Sequence, residues 1–173
     1  MINTTPGRME QNMKKKLLLI LLCLTFLTAC SNKYQYKEIA AGTSKEALMD
    51  SLGKKPSDTK KDENGNEFLS YEKCPYLGYE GTSTYCFSDG SMAFTKWEYT
   101  AKDYEDGKAV YDKIVEEKKQ TYGDGSESNS GTKMHLCSWN TNDNSIAVTC
   151  ITEKGTTVVS LSEALSDKST KEP

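Results

Sequence analysis

The sequence predicts an α+β fold in which helices pack on antiparallel β-meanders, arranged as two tandem helix-plus-three-strand repeats. Three observations carry that expectation. Two segments with helix start and stop signals are each followed by short runs of alternating apolar and polar residues. Turn-forming dipeptides separate those runs. The landmarks also recur at a near-constant interval: Gly53 and Gly123 are 70 residues apart, Cys74 and Cys137 63, Cys86 and Cys150 64.

Before the folded region, Lys14, Lys15 and Lys16 lead into an apolar run at 17–29 that ends in small residues, the order of an export signal. About thirteen apolar residues fall short of the roughly twenty that span a bilayer as a helix. Met13 stands directly before the lysines, so residues 1–12 read as an upstream extension. Segment 1–29 is thus expected to be removed, 30–38 to be a polar tether, 39–165 to fold as repeats 39–100 and 101–165, and 166–173 to be a charged, disordered tail.

Within the first repeat, Thr43 as N-cap with Glu46 three positions later forms a capping box. Leu48, Met49 and Leu52 supply the apolar stripe, Gly53 the left-handed cap, and Pro56 the stop. Residues 57–65 are polar and read as an exposed loop closing at Asn64-Gly65. Strands follow from Phe68, over 82–87, and over 92–99, with Asp89-Gly90 as the tight turn between the last two. In that third strand Met92, Phe94 and Lys96 alternate with Ala93, Thr95, Trp97 and Tyr99.

The second repeat opens with a helix over 102–122, with Gly107 as a break near its start and Gly123 as its end. Strands at 134–139, 145–152 and 156–161 are separated by the polar turn 140–144 and by Lys154-Gly155. Intervals of 12 and 13 residues within the halves suit cysteines facing each other across adjacent strands, so disulfides Cys74–Cys86 and Cys137–Cys150 are expected. Each would contribute about 2 to 3 kcal/mol by restricting the unfolded chain.

Leu27, Thr28, Ala29 and Cys30 resemble the lipobox of bacterial lipoprotein precursors. The resemblance implies cleavage before Cys30, a diacylglyceryl thioether on its sulfur, a further N-acyl chain, and a protein held to a cell membrane on its extracytoplasmic face. Further along, Ile39, Gly42, Thr43, Ser44, Lys45, Glu46, Leu48, Leu52, Gly53 and Pro56, followed by a cysteine hairpin and an aromatic strand, resemble the repeat of β-lactamase inhibitory proteins. The same stretch is similar to the small lipoprotein of the outer-membrane β-barrel assembly machine. These resemblances imply helices on an antiparallel sheet and action by binding proteins. The second half departs from the pattern, lacking the Gly-Thr-Ser-Lys-Glu helix start.

Charge excludes some partners. Taking Arg8 and Lys14, Lys15 and Lys16 from the 22 basic side chains, and Glu10 from the 25 acidic ones, leaves a formal charge of about −6. Nucleic-acid binding depends on neutralising phosphates, and polybasic adhesion on lysine clusters, so neither is expected.

Catalytic patterns are weak. His135, the single histidine, shares a strand face with Cys137 and has Met134 beside it, a faint copper-like set. Ser51-x-x-Lys54 and Ser57-x-x-Lys60 match a nucleophile motif but lack its companion motifs. Asp62, Asn64, Asn66 and Glu67 carry calcium-type oxygens, but Gly65 sits at the fourth loop position rather than the sixth. No cofactor and no enzymatic activity are expected. Tyr76, Tyr79, Tyr85, Trp97, Tyr99 and Trp139 fall on strands or hairpins and offer either a core or a protein-binding face. The expected function is a membrane-anchored, non-catalytic module that binds an envelope or secreted protein. A structural or stress-related envelope lipoprotein and a small-ligand carrier are the alternatives.

Overall fold

The computed structural model describes residues 34–131 and 133–165. The export signal, Cys30 and the tail from Ser166 lie outside the described residues. Among those described are two helices, α1 (Lys45–Leu52) and α2 (Tyr104–Tyr122), and eight strands. The strands are β1 (Asp58–Lys61), β2 (Glu67–Tyr76), β3 (Tyr79–Ser88), β4 (Ser91–Ala101), β5 (Ser126–Ser130), β6 (Met134–Asn140), β7 (Asn144–Glu153) and β8 (Thr156–Leu165). They form one antiparallel sheet in the order β1-β2-β3-β4-β8-β7-β6-β5. No helix among the described residues is long and apolar enough to cross a membrane.

Three of the hairpins close with two-residue turns in which both central residues have positive φ: Leu77-Gly78 (49° and 88°), Asp89-Gly90 (50° and 77°) and Lys154-Gly155 (51° and 82°). Such turns match the right-handed twist of the flanking strands and so fix the register. β1 and β5 were not expected. Every residue in both is exposed, so neither carries an alternation of apolar and polar residues, and pairing to β2 and β6 holds them. Each meander therefore has four strands rather than three.

Helix α1 starts one residue later than the capping box suggested. Ser44 is the N-cap, its Oγ accepting from the Ala47 amide at 3.2 Å. Thr43 is occupied elsewhere: its hydroxyl donates to the Ala40 carbonyl and its own carbonyl accepts from the Met92 amide. Gly53, at φ 62°, ends the helix as expected. In α2, Asp103 caps the start through the Asp106 amide at 2.8 Å. Gly107 does not break α2 but seats it, because a Cβ there would lie 2.5 Å from Thr157 Cγ2 and 3.2 Å from Ala101 Cβ.

Both helices bury their apolar stripes against the same face of the sheet. Val110, Ile114 and Val115 of α2 and Leu48 and Leu52 of α1 join Leu69, Tyr71, Tyr85, Trp97, Val148, Val159 and Leu161 in one core. Fully burying a side chain of this kind contributes about 1.5–3 kcal/mol. Where α2 does not reach, the segment read as tether closes the layer. Tyr36 is buried, its amide donating to the Pro75 carbonyl at 2.9 Å and its hydroxyl bonding Thr95 Oγ1 at 2.9 Å, while Tyr34 packs at the core margin.

Trp97 spans the centre of this core. Its indole lies against Gly81 of β3 and its Nε1 donates to the Cys74 carbonyl at 2.9 Å. A Cβ on Gly81 would fall 2.6 Å from the indole, so the glycine is needed for close approach. Gly81→Ala is expected to destabilise the domain by about 2 kcal/mol, the scale of core overpacking. Urea denaturation of the soluble chain would measure it; an unchanged midpoint would show that the indole does not sit there.

Candidate binding face

With both helices on one side, the opposite face of the sheet is bare of helix among the described residues. Strand pairing places side chains on it in transverse rows. One row runs Ser70, Thr84, Lys96, Ser162, Ala147 and Ser138 across six strands. A second carries Phe68, Cys86, Phe94 and Ala164. A third brings together Thr100, Val158, Ile151 and Met134.

Small and hydroxyl-bearing residues dominate this surface, with two half-buried aromatics, Phe68 and Phe94, flanking Cys86. Ile151, 41 % exposed, is the one large apolar side chain that is exposed rather than buried or half-buried among the described residues. Cross-strand hydroxyl pairs, Thr149 with Ser160 at 2.7 Å and Ser70 with Thr84 at 3.4 Å, order the polar rows. Lys96 pairs with Glu98 at 2.7 Å, both partly solvated, a contact worth at most about 1 kcal/mol.

The six aromatics proposed from sequence as a binding face lie on the covered side. Tyr85 and Trp97 are fully buried, and Trp139 nearly so, donating from Nε1 to the Gly123 carbonyl at 2.8 Å. Tyr76, Tyr79 and Tyr99 pack against the core margin, Tyr76 donating to Glu117 at 2.9 Å and Tyr99 to Asp106 at 2.8 Å. Within β4, Trp97 and Tyr99 share a face by alternation, and that face is the one the helices cover. Met92 joins it too, because a bulge between Cys86 and Phe87 moves it out of phase with Phe94.

The expected disulfides are absent: Cys74, Cys86, Cys137 and Cys150 are free, buried thiols. Register explains the first pair. Cys74 stands opposite Gly81 and Cys86 opposite Phe68, and a bulge at Glu72 and Lys73 leaves Cys74 on the covered face and Cys86 on the bare one. In the second pair Cys137 stands opposite Val148 and Cys150 opposite His135, so the two are diagonal rather than facing. Burial pushes all four thiols up, which disfavours the reactive thiolate.

The remaining sequence motifs serve the fold. His135 does share the face of Cys137, but its ring nitrogens bond Tyr104 at 2.8 Å and Asn129 at 3.0 Å. It sits in an open cleft of about 410 Å³ beneath α2, where Lys108 is paired with Asp112 and Lys119 with Glu127. Ser51 donates to the Leu48 carbonyl and Ser57 accepts from the Glu72 amide. Asp62 receives the Asn64 and Asn66 amides and the Asn66 side chain, closing the β1–β2 turn. Among the described residues no group of His, Cys, Asp or Glu is arranged to hold a metal ion.

No protein family, no curated protein and no solved structure matches the chain. The register makes its own prediction: a non-reduced digest is expected to yield Cys74 and Cys86 in unlinked peptides. A Cys74–Cys86-linked peptide would require a different alignment of β2 and β3.

Proposed function

We propose that this protein is a membrane-tethered, non-catalytic module that binds another protein through the bare face of its sheet. The tether is the lipid on Cys30 that the lipobox implies. The observation that carries the reading is the size and chemistry of that face. Seven inter-strand spacings of about 4.8 Å make it about 34 Å wide, and eight paired residues at about 3.3 Å each make its centre about 26 Å long. Shortened at the edges by β1 and β5, it offers roughly 700 Å², the scale of one partner's share in a standard protein–protein interface of about 800 Å². A small ligand would use a fraction of that area.

Composition supports the same reading. Phe68 and Phe94 can be covered by a partner with gain from apolar burial, while serine and threonine hydroxyls around them offer hydrogen bonds at little entropic cost. The helix followed by four strands, occurring twice, supports reading the two halves as tandem repeats. The cysteines do not: Cys86 faces the bare side and Cys150 the covered side, so their regular spacing is not structural equivalence.

Photo-crosslinking in intact cells tests the proposal. A crosslinker replacing Thr84 or Ser162 is expected to give discrete protein adducts that disappear when Phe94→Asp is added, whereas one at Gln120, exposed on α2, gives none. Identical adducts from Gln120, or none from the sheet positions in a chain that incorporates palmitate normally, would overturn it.

A further inference from the structure

Beneath α2 lies a buried charged cluster that neither the core nor the bare face requires. Lys118 is only 1 % exposed, and its ammonium is bonded to Glu38 of the N-terminal segment and to Glu117 at 3.0 Å. Glu38 also accepts from the Tyr122 hydroxyl at 3.3 Å. Alongside, Glu163 of β8 is 3 % exposed and held by the Asn144 side-chain amide at 2.7 Å. We propose that residues 34–39 form a strap clasped to the fold through Lys118, and that loss of a proton from Glu163 loosens the clasp.

Lys118 and Glu163 are buried, whereas Glu38 and Glu117 reach solvent with 41 % and 37 % of their side chains exposed. Several elements face Glu163: Glu38 and Tyr36 from the strap, Lys118 and Tyr122 from α2, Tyr76 from β2, Thr95 from β4 and Asn144 from β7, with Glu117 of α2 one step removed on Lys118 and Tyr76. The tyrosines are held protonated by burial. One ammonium therefore faces three carboxylates, and two of them, Glu38 and Glu117, already bond it directly. Glu163 is the most buried of the three, at 3 % exposed, and burial disfavours its charged form.

Burial first, and repulsion from Glu38 second, push Glu163 up to about 7, while Lys118 and the Asn144 bond act weakly in the other direction. The sign follows from linkage. An unfolded glutamate titrates near 4.3, so the folded state holds the extra proton between that value and about 7. The stabilisation is fully present below about 4.3 and is lost as pH rises through about 7. Above it, a new negative charge beside Glu38 opposes strap docking. The clasp is therefore tighter in mildly acidic surroundings, independently of what docks on the bare face.

Hydrogen exchange of the full-length protein, corrected for intrinsic rates, reads the strap directly. Protection of the Tyr36 amide, which donates to Pro75, is expected to fall about tenfold or more between pH 6 and pH 8.5. Glu163→Gln should retain protection at both values, and Lys118→Met should lower it at both. Carbon-13 NMR of the Glu163 carboxyl in the unmodified protein provides a measurement that needs no variant, with a midpoint near 7 expected. Strap protection that does not change with pH, a Glu163→Gln protein that keeps the pH dependence, or a Glu163 midpoint near 4 would each overturn the proposal.

Discussion

The antiparallel pairing of β4 with β8, from Phe94 opposite Ala164 to Ala101 opposite Thr157, joins two separate meanders into one eight-stranded sheet. Each meander alone would leave a long central strand as an unpaired edge, which sheets avoid because it invites association with other chains. Joined, they leave only β1 and β5 at the edges, both short, polar and fully exposed. The seam also gives α2 a continuous surface on which to lie, so that Val110 and Ile114 meet Trp97, Leu161 and Val148 in a single core. The division into a covered face and a bare one follows from that arrangement.

The covered face spends nearly all of the chain's large aromatics. Tyr34, Tyr36, Tyr71, Tyr76, Tyr85, Trp97 and Tyr99 pack ring to ring across β2, β3 and β4, with centroids 5.1 to 6.4 Å apart. Two of these rings come from the strap, so the N-terminal segment is as much a part of this layer as the helices. In the same region the buried Tyr71 hydroxyl has no hydrogen-bond partner, a cost of about 1–3 kcal/mol that the surrounding burial offsets. What remains for the bare face is chiefly serine, threonine and alanine, with Phe68 and Phe94 beside Cys86, the Lys96–Glu98 pair, and Val158, Ile151 and Met134 in one row.

Much of the architecture was legible because the signals are local. Gly53, Gly123, Asp89-Gly90 and Lys154-Gly155 announce their backbone conformations through residues that tolerate them, and the strands between them alternate in burial. The errors share one cause, which is phase. A bulge at Glu72 and Lys73 of β2 and another at Ala93 of β4, opposite Cys86 and Phe87, shift the two-residue alternation, and nothing in those residue types marks an inserted position. Cysteine spacing therefore suggested a Cys74–Cys86 bridge that the register forbids. The Leu77-Gly78 turn, which sets that register, was hidden because leucine rarely adopts positive φ. Phe94 could have been placed by counting back three residues from Trp97 on β4, since residues of opposite parity within a strand take opposite faces. The β1 and β5 strands had no signal to read, being held by main-chain pairing rather than by side chains.

Native-state hydrogen exchange across a denaturant series tests the seam most directly. If β4 and β8 bind the two meanders into one cooperative unit, their amides exchange only through global unfolding, with a common free energy and denaturant slope, while β1 and β5 open locally at lower cost. Separate free energies for the β2–β4 and β6–β8 amides would mean that the halves unfold independently, and would contradict a seam that binds the two meanders into one cooperative unit.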